Sequence, residues 1–390
     1  MPGFVQAHVH LCQTLLRNQA DDLALLDWLR QRVWPYEAWL DANAMRAAAD
    51  LGLAELVDGG TTALLDMGSV RHTDELFAAA RAAGVRYTGG KCLMDLNEGG
   101  RGPAELFESA DQALAETTAL IERHHRSENG RLRYAVAPRF AVSCSDDLLK
   151  RAVVLACRAD ARIHTHASEN KDEVAAVLAR TGRRNIDYLS DLGVLGSQTA
   201  IAHCVHLVEH EVNLLWGTGT HVVHCPSSNL KLGSGIAPIP ALLEQGINVA
   251  LGADGAPCNN RLDIFREMHL ASLVQKPIHG PKAMPAEAVL RMATIGGARA
   301  LGLEDEIGSL EAGKKADIVV LDLDRPETQP EGDPYAAVVF SASPANVRHV
   351  LVDGVFLKRD GRLLRVDRAE IGRRAAAESA RFRGAAPGSR

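Results

Sequence analysis

Short apolar runs rich in β-branched and aliphatic side chains recur along the first 252 residues, at 4–10, 61–66, 85–91, 132–138, 162–166, 199–203, 221–225 and 248–252. Longer, Ala-rich segments with apolar residues three and four apart lie between them, most clearly at 43–57, 73–83, 109–124, 146–159 and 172–181. The first pattern predicts strands and the second predicts helices. Eight such alternations predict a closed (β/α)8 TIM barrel. A doubly wound open sheet is the alternative, but no G-x-G-x-x-G follows an early strand.

The pattern changes after residue 303. Segments 306–366 contain short apolar runs separated by Gly and Asp-Gly turns, which predict a small β element outside the barrel. Residues 367–390 are rich in Ala and Arg and predict a surface helix that ends in a disordered tail. We therefore expect a barrel domain at 1–305, a small β-sandwich remnant at 306–366 and a helical or disordered tail at 367–390.

Composition narrows the classes of function. Hydrophobic residues make up 46% of the 390 residues, which is ample for a large core, and the net charge of −6 gives no indication of nucleic-acid binding. Seven cysteines are scattered without paired spacing, as expected for reduced thiols. No apolar run is long enough to span a membrane. We expect a cytoplasmic protein without nucleic-acid or membrane partners.

Candidate chemistry collects at the ends of the predicted strands. Five of the eight strands end in His or Asp, within the stretches "HVH", "HTHASEN", "IAHCVH", "VVHCPSSN" and "ALGADGAPCNN", although the chain has only 15 histidines. The carboxyl ends of barrel strands lie at one face, where the active sites of such barrels are found. The pattern therefore predicts a single site at this face.

The first strand supplies two candidate ligands for a divalent cation. His8 and His10 are two residues apart on a strand, so both side chains are expected to point into the barrel mouth. His164 and His166 repeat this spacing, and we favour His166 as the ligand because it lies nearer the rim. Asp254 follows the eighth strand and is a candidate both for metal ligation and for the role of base.

Two further residues are candidates for catalysis. Glu169 can accept a proton from a metal-bound water and deliver it to a leaving nitrogen. Its position also suits the negatively charged first turn of the next helix, and the two roles are compatible. His203, at the end of the sixth strand, can polarise the electrophile or orient the hydroxide.

These motifs resemble the amidohydrolase superfamily, in its branch of mononuclear-metal aminohydrolases that act on purines and related rings. The similar segments are "PGFVQAHVH", "HASE", "AHCVHL", "HCPSSNLKLGSGIAP", "LGADGAPCNN" and "MATIGGARALGLEDEIGSLEAGKKADIVVLD", in family order across 2–355. The resemblance implies one divalent metal per chain, zinc with iron as the alternative, held by His8, His10, His166 and Asp254. It implies that Glu169 shuttles protons and that His203 positions the ring and the attacking water, which expels ammonia from an sp² ring carbon.

The substrate contacts are also implied by resemblance. The loops "HCPSSNLKLGSGIAP" and "GADGAPCNN" are similar to deaminases of 5′-deoxyadenosine, methylthioadenosine and S-adenosylhomocysteine. In that group Glu37 of "VWPYEAWL" would bind ribose hydroxyls, and Lys91 and Arg101 would supply basic contacts. The segment "APRFAVSCS" instead resembles guanine deaminase, in which Arg139 and Phe140 would hold the base. Further candidate contacts are Gln13 and His224.

We expect an adenosine-derived small molecule as substrate. The alternatives are guanine, an s-triazine with amino or chloro leaving groups, and a catalytically silent scaffold. A silent relative is expected to have lost at least one site residue, whereas all are present here. Relatives carry strands before the "PG" segment, so the C-terminal β element is expected to be incomplete and to expose strand edges. Relatives are often dimers or larger, so a homo-oligomer is a further expectation.

Overall fold

The computed structural model describes residues 1–97, 100 and 102–385. Its main sheet is parallel and consists of β1 (Phe4–His10), β2 (Thr61–Asp66), β3 (Arg86–Gly89), β4 (Cys92–Leu93), β5 (Leu132–Pro138), β6 (Arg162–Ala167), β7 (Thr199–His203), β8 (His221–His224), β9 (Val249–Leu251) and β10 (Asp254–Gly255). The strand order is β10-β1-β2-β3-β5-β6-β7-β8-β9, and β4 pairs with β5. Only Gly252 and Ala253 separate β9 from β10, so these two strands together close the sheet between β8 and β1. The predicted (β/α)8 barrel is confirmed, and the predicted third and eighth strands are each followed by a short strand, β4 and β10, that was not predicted.

Helices connect and surround the strands. They are α1 (Leu25–Trp28), α2 (Trp34–Trp39), α3 (Ala42–Asp58), α4 (Thr73–Ala83), α5 (Ala110–His124), α6 (Ser127–Gly130), α7 (Asp146–Ala159), α8 (Lys171–Thr181), α9 (Asn185–Asp191), α10 (Glu209–Thr218), α11 (Pro226–Lys231), α12 (Ile239–Glu244), α13 (Ala256–Asn259), α14 (Ile264–Leu273), α15 (Lys276–His279), α16 (Ala286–Arg291), α17 (Gly297–Leu301), α18 (Pro334–Ala336) and α19 (Arg368–Ala385). A 3₁₀ helix, Leu11–Leu16, follows β1, and a π-helix, Leu29–Val33, follows α1. None of the described helices is long and apolar enough to cross a membrane.

Small aliphatic side chains fill the barrel interior. The cluster comprises Val5, Ala7, Ala63, Leu65, Ala135, Ala200, Val223 and Ala250, and residues of α17 and the loop after it pack against them. A Cβ on Gly297 would lie 2.7 Å from Cβ of Val5, so only glycine allows α17 to approach β1 this closely. The interior below the rim is therefore packed with aliphatic side chains, which leaves the rim as the place for polar chemistry.

A small antiparallel sheet lies beside the barrel. It consists of β11 (Ile318–Leu321), β12 (Val347–Val352), β13 (Val355–Arg359) and β14 (Arg362–Leu363). Pro2 forms a bridge with Ile318, so the first residues of the chain pair with the free side of β11. The Arg86 side chain is fully buried and binds both carboxylate oxygens of Asp317 at 2.9 Å. This ion pair joins the small sheet to the barrel.

Helix α19 packs against α3 rather than extending into solvent. The Phe382 ring lies edge-on to Tyr36, with centroids 5.0 Å apart, and Arg381 stacks 4.3 Å from the centroid of Trp39. The helix predicted from the Ala/Arg-rich composition is present to residue 385, whereas the rest of the predicted disordered tail lies outside the described residues.

Candidate active site

A bulge in β1 directs the first two candidate ligands into the barrel mouth. Between Gln6 and Val9 the chain advances three residues along β1 against two along β2. Ala7 packs inside the barrel, and because of the bulge the side chains of His8 and His10 face the barrel interior as well. Bulges of this kind redirect side chains next to active sites. Their two-residue spacing predicted that both imidazoles lie on the same face of the strand, as they do. The bulge determines that this face is the one directed into the barrel.

Four buried side chains place cation-binding atoms close together. Oδ1 of Asp254 lies 3.3 Å from Nε2 of His8 and 3.4 Å from Nε2 of His10, and Nε2 of His166 lies 3.2 Å from Nε2 of His10. Four ligands at 2.0–2.1 Å from a tetrahedral zinc ion are separated by about 3.3–3.4 Å. These separations suit donors that share one small cation. The candidate ligand atoms fall into two groups, each with all atoms within 4.8 Å of one another, His8–His10–His166 and His8–His203–Asp254, and His8 belongs to both.

Hydrogen bonds below the rim determine which ring nitrogens are free to bind the cation. Nδ1 of His164 donates to the carbonyl oxygen of Ala200 at 3.0 Å, so Nε2 of His164 is left to accept from Nδ1 of His8 at 2.7 Å. Nδ1 of His166 donates to the carbonyl oxygen of Arg139 at 2.6 Å. Nε2 of His8 and of His166 therefore carry lone pairs directed at the site. His164 lies below His166, as expected, and holds His8 in its ligating tautomer.

The two candidate catalytic residues face the same point. Oε2 of Glu169 lies 3.4 Å from Nε2 of His203, which in turn lies 3.9 Å from Oδ2 of Asp254. Nδ1 of His203 donates to Oδ1 of Asn229 at 2.9 Å, which fixes the imidazole with Nε2 toward the site. Burial and the nearby charge of Asp254 raise the pKa of Glu169 well above its usual value. A carboxyl group that retains its proton suits proton transfer near neutral pH.

The backbone of Glu169 is held by a second buried carboxylate. Oε2 of Glu173 accepts hydrogen bonds from the backbone N–H of Glu169 at 2.8 Å and of Asn170 at 3.4 Å. Glu173 belongs to the capping box at the start of α8. The structure is thus compatible with both predictions for "HASENKDE", namely that it begins a helix and that its Glu169 is catalytic.

A small cavity of about 20 Å³ lies above these groups. Its lining is formed by His10, Gln13, Leu25, Trp28, Leu29, Arg139, Phe140, His166, Glu169, His203 and Asp254. The apolar wall comes from α1 and the start of the following π-helix, which sequence reasoning did not assign to the site. The apolar run "LALLDWL" could have indicated a buried segment, but nothing in it indicated a position over the barrel mouth.

Three of the predicted substrate contacts form one buried network. Arg139 donates from Nη1 to Oε2 of Glu37 at 2.6 Å and from Nη2 to Oε1 at 3.2 Å. Nε2 of Gln13 donates to the same Oε1 at 2.9 Å. Although burial alone would lower the pKa of Arg139, the charge of Glu37 raises it, so the guanidinium stays charged. This network reaches the cavity through Arg139 and Gln13, with Phe140 beside them, whereas Glu37 itself is not among the lining residues.

Two predicted contacts do not reach the cavity. The Lys91 ammonium is fully buried elsewhere, 2.8 Å from Oε2 of Glu108 and 2.8 Å from Oε2 of Glu116, and these carboxylates account for its position. His224 is buried but is not among the cavity-lining side chains, and burial lowers its pKa to about 3. The structure therefore corrects the expectation for Lys91 and does not support the one for His224. Arg101 lies outside the described residues.

Comparisons with known proteins agree with this geometry. The family model described as "Amidohydrolase family" matches residues 1–357. A 5-methylthioadenosine/S-adenosylhomocysteine deaminase of Syntrophobacter fumaroxidans is 43% identical over 95% of this chain and 83% of its own. A 5′-deoxyadenosine deaminase of Methanothermobacter thermautotrophicus is 42% identical over 93% of this chain and 82% of its own.

A solved structure extends the likeness to three dimensions. An adenosine deaminase from Xanthomonas campestris with bound zinc has a TM-score of 0.92 and 34% identity, covering 98% of this chain and 86% of its own. The family model, the sequence identities and the likeness to a solved structure lead to the same conclusion. The chain belongs to the amidohydrolase family.

Proposed function

We propose that this protein is a metal-dependent deaminase that hydrolyses the C6–N bond of the adenine ring in a 5′-modified adenosine. The observation that carries the proposal is that two groups of candidate cation donors, which share His8, lie together with the Glu169 carboxyl at one cavity. The deaminase relatives support the reaction class, and two of them are named for methylthioadenosine, S-adenosylhomocysteine or 5′-deoxyadenosine.

His8, His10, His166 and Asp254 would hold a divalent ion, which would supply Lewis acidity to promote ionisation of the attacking water. We propose zinc, because three imidazoles and one carboxylate in tetrahedral spacing suit it, with iron as the alternative. The zinc-bound relative of known structure supports this choice.

Glu169 carries the proton. Its carboxylate takes a proton from the attacking water and delivers one to the departing nitrogen, so that water and the amine become a ring carbonyl and ammonia. The raised pKa matches this exchange, because the carboxyl must both hold and release a proton. The nearby carboxylate of Asp254 raises this pKa further, whereas the Arg139 guanidinium lowers it. A cation at the donor set offsets the charge of Asp254.

His203 orients the reacting groups. Its Nδ1–H bond to Asn229 holds Nε2 toward the cavity, at a position between Glu169 and Asp254. From there the imidazole can contact either the attacking water or the ring at its reacting carbon. The buried Glu37–Arg139 pair and Gln13 lie at another side of the cavity, where they would bind polar atoms of the sugar or of the base.

Guanine deamination is a second candidate, and the observation that favours it is Arg139 beside Phe140 in the cavity wall. A guanidinium with free N–H donors suits the oxygen and nitrogen acceptors of a guanine edge. Under this alternative Glu37 would orient Arg139 rather than bind ribose.

Ammonia release distinguishes the candidates. Purified zinc-loaded protein should be assayed with 5′-deoxyadenosine, methylthioadenosine, S-adenosylhomocysteine, adenosine and guanine, and Glu169→Gln serves as the inactive control. We expect the highest kcat/KM for a 5′-modified adenosine. Turnover of guanine alone would refute that substrate class. If both guanine and adenosine are turned over, Arg139→Ala should reduce guanine turnover far more than adenosine turnover. Absence of turnover with all five substrates would favour the silent scaffold.

A further inference from the structure

We propose that Glu267 on α14 is a positioning residue that holds together the two loops on which the cation site and His203 depend. The proposal rests on the function proposed above. Glu267 is fully buried, and its described hydrogen-bond donors are Ser227 and Asn259, neither of which carries a charge. A buried carboxylate satisfied only by neutral donors is costly unless those donors are well oriented.

The first connection leads to Asp254. Nδ2 of Asn259 donates to Oε1 of Glu267 at 2.9 Å and to the carbonyl oxygen of Ala253 at 2.7 Å. Ala253 directly precedes Asp254, whose φ of +59° is uncommon for a residue other than glycine. Such a conformation persists only where its surroundings enforce it. The Glu267–Asn259 bond therefore helps to keep the Asp254 carboxylate at the donor set.

The second connection leads to His203. Oε2 of Glu267 accepts from the backbone N–H of Ser227 at 3.2 Å, and Oε1 accepts from the Ser227 hydroxyl. Ser227 lies in α11, two residues before Asn229, which accepts the Nδ1–H bond of His203. The position of α11 thus determines where Oδ1 of Asn229 lies, and with it the orientation of the His203 imidazole.

One carboxylate consequently couples two loops that are separated in sequence by some twenty to thirty residues and approach the site from different strands. Neither Ser227 nor Asn259 lines the cavity, and Glu267 does not either. Loss of Glu267 should therefore alter cation affinity through Asp254 and turnover through His203, with little change in KM. Residues that support metal ligands in this indirect way affect affinity by about 10- to 100-fold.

The test separates these two effects. Zinc affinity is measured by competition with a chromophoric chelator, without substrate, and kcat and KM are measured at saturating zinc. The variants are Glu267→Ala, Glu267→Gln, Asn259→Ala and Ser227→Ala. Glu287→Ala, on the exposed side of α16, is the matched control for loss of one carboxylate.

We expect Glu267→Ala and Asn259→Ala to weaken zinc binding at least 10-fold, and their combination to be no worse than Glu267→Ala alone. Ser227→Ala should retain zinc affinity and lower kcat. The zinc affinity of Glu267→Gln should fall between those of Glu267→Ala and the parent, because its amide oxygen can still accept a hydrogen bond from Asn259. Parental zinc affinity and kcat in Glu267→Gln and Asn259→Ala would overturn the proposal, even if Glu267→Ala does not fold.

Failure of the proposed function would appear differently. If none of the nucleosides or bases is deaminated, the zinc-affinity measurements still test the connection from Glu267 to Asp254. If deamination occurs and zinc affinity is unchanged in all four variants, only the positioning proposal fails.

Discussion

The histidine below the cation donors offers a direct test of how the site is built. Nδ1 of His8 donates to Nε2 of His164 at 2.7 Å, and both side chains are fully buried. In His164→Ala this acceptor is lost, and the structure provides no other described partner for the N–H group of His8. The imidazole can then rotate or change tautomer, and either change removes the lone pair that Nε2 presents to the cation.

The magnitude follows from the hydrogen bond. An unsatisfied buried donor costs about 1–3 kcal/mol. Loss of a residue that orients a metal ligand typically reduces metal affinity about 10- to 100-fold. That reduction corresponds to about 1.4–2.7 kcal/mol at 25 °C, since each 1.4 kcal/mol is a factor of ten. The two estimates agree, so His164→Ala should show a zinc Kd raised by one to two orders of magnitude.

The assay is zinc titration of the metal-free protein against a competing chelator at constant pH. His164→Gln is the matched control, because its side-chain oxygen can lie near the place of Nε2 and accept from His8. We expect this control to recover at least half of the lost binding free energy. Equal zinc affinity in His164→Ala and the parent would refute the reasoning, as would a loss that His164→Gln does not reduce.

Three further outcomes are expected. Glu169→Gln should retain one equivalent of cation by elemental analysis while kcat falls about 10²- to 10⁴-fold, and unchanged turnover with cation bound would exclude proton transfer by this residue. Arg86→Met should lower the free energy of unfolding by about 3–5 kcal/mol in denaturant titration, because the buried Asp317 would lose its cationic partner. A double variant Arg86→Met/Asp317→Asn should recover part of this loss, and full additivity would contradict the pairing. Burial raises the pKa of Glu173 from an ordinary 4.5 to about 7, so between these pH values the folded state holds a proton that the unfolded state releases. The free energy of unfolding should therefore fall by up to about 3 kcal/mol from this group as the pH rises through this range. Glu173→Gln should lack this part of the pH dependence, and a parental pH dependence in this variant would contradict the shifted pKa.

The barrel and its ligand-bearing strand ends could be predicted because both depend on local pattern. Strands separated by amphipathic helices fix the architecture, and the architecture places all strand ends at one face. The predicted strand at residues 4–10 coincides with β1. The bulge inside it was not predictable, because it depends on pairing with β2 rather than on the residues of β1 alone.

The remaining features depend on contacts between distant parts of the chain. Lys91 was expected near the substrate, yet its ammonium lies between Glu108 and Glu116, which precede and follow the start of α5. Glu267 and Ser227 are 40 residues apart, and neither carries a recognisable motif of its own. Hydrogen bonds of this kind arise from the packing of helices around the barrel, so sequence periodicity alone does not reveal them.

Buried acidic groups surround the imidazole ligands, and this arrangement indicates what the site is suited to bind. Asp66 accepts from the backbone N–H of Leu11 at 3.0 Å and from the Tyr87 hydroxyl at 2.8 Å, and burial raises its pKa to about 6. Glu173 and Glu267 are likewise buried, and their described hydrogen-bond partners are neutral donors. Burial without cationic partners raises the pKa of these groups, so a divalent cation bound nearby would favour their ionised forms and would be stabilised by them in turn. Because the same groups also orient the ligand-bearing segments, attraction of the cation and positioning of its ligands have a common structural cause.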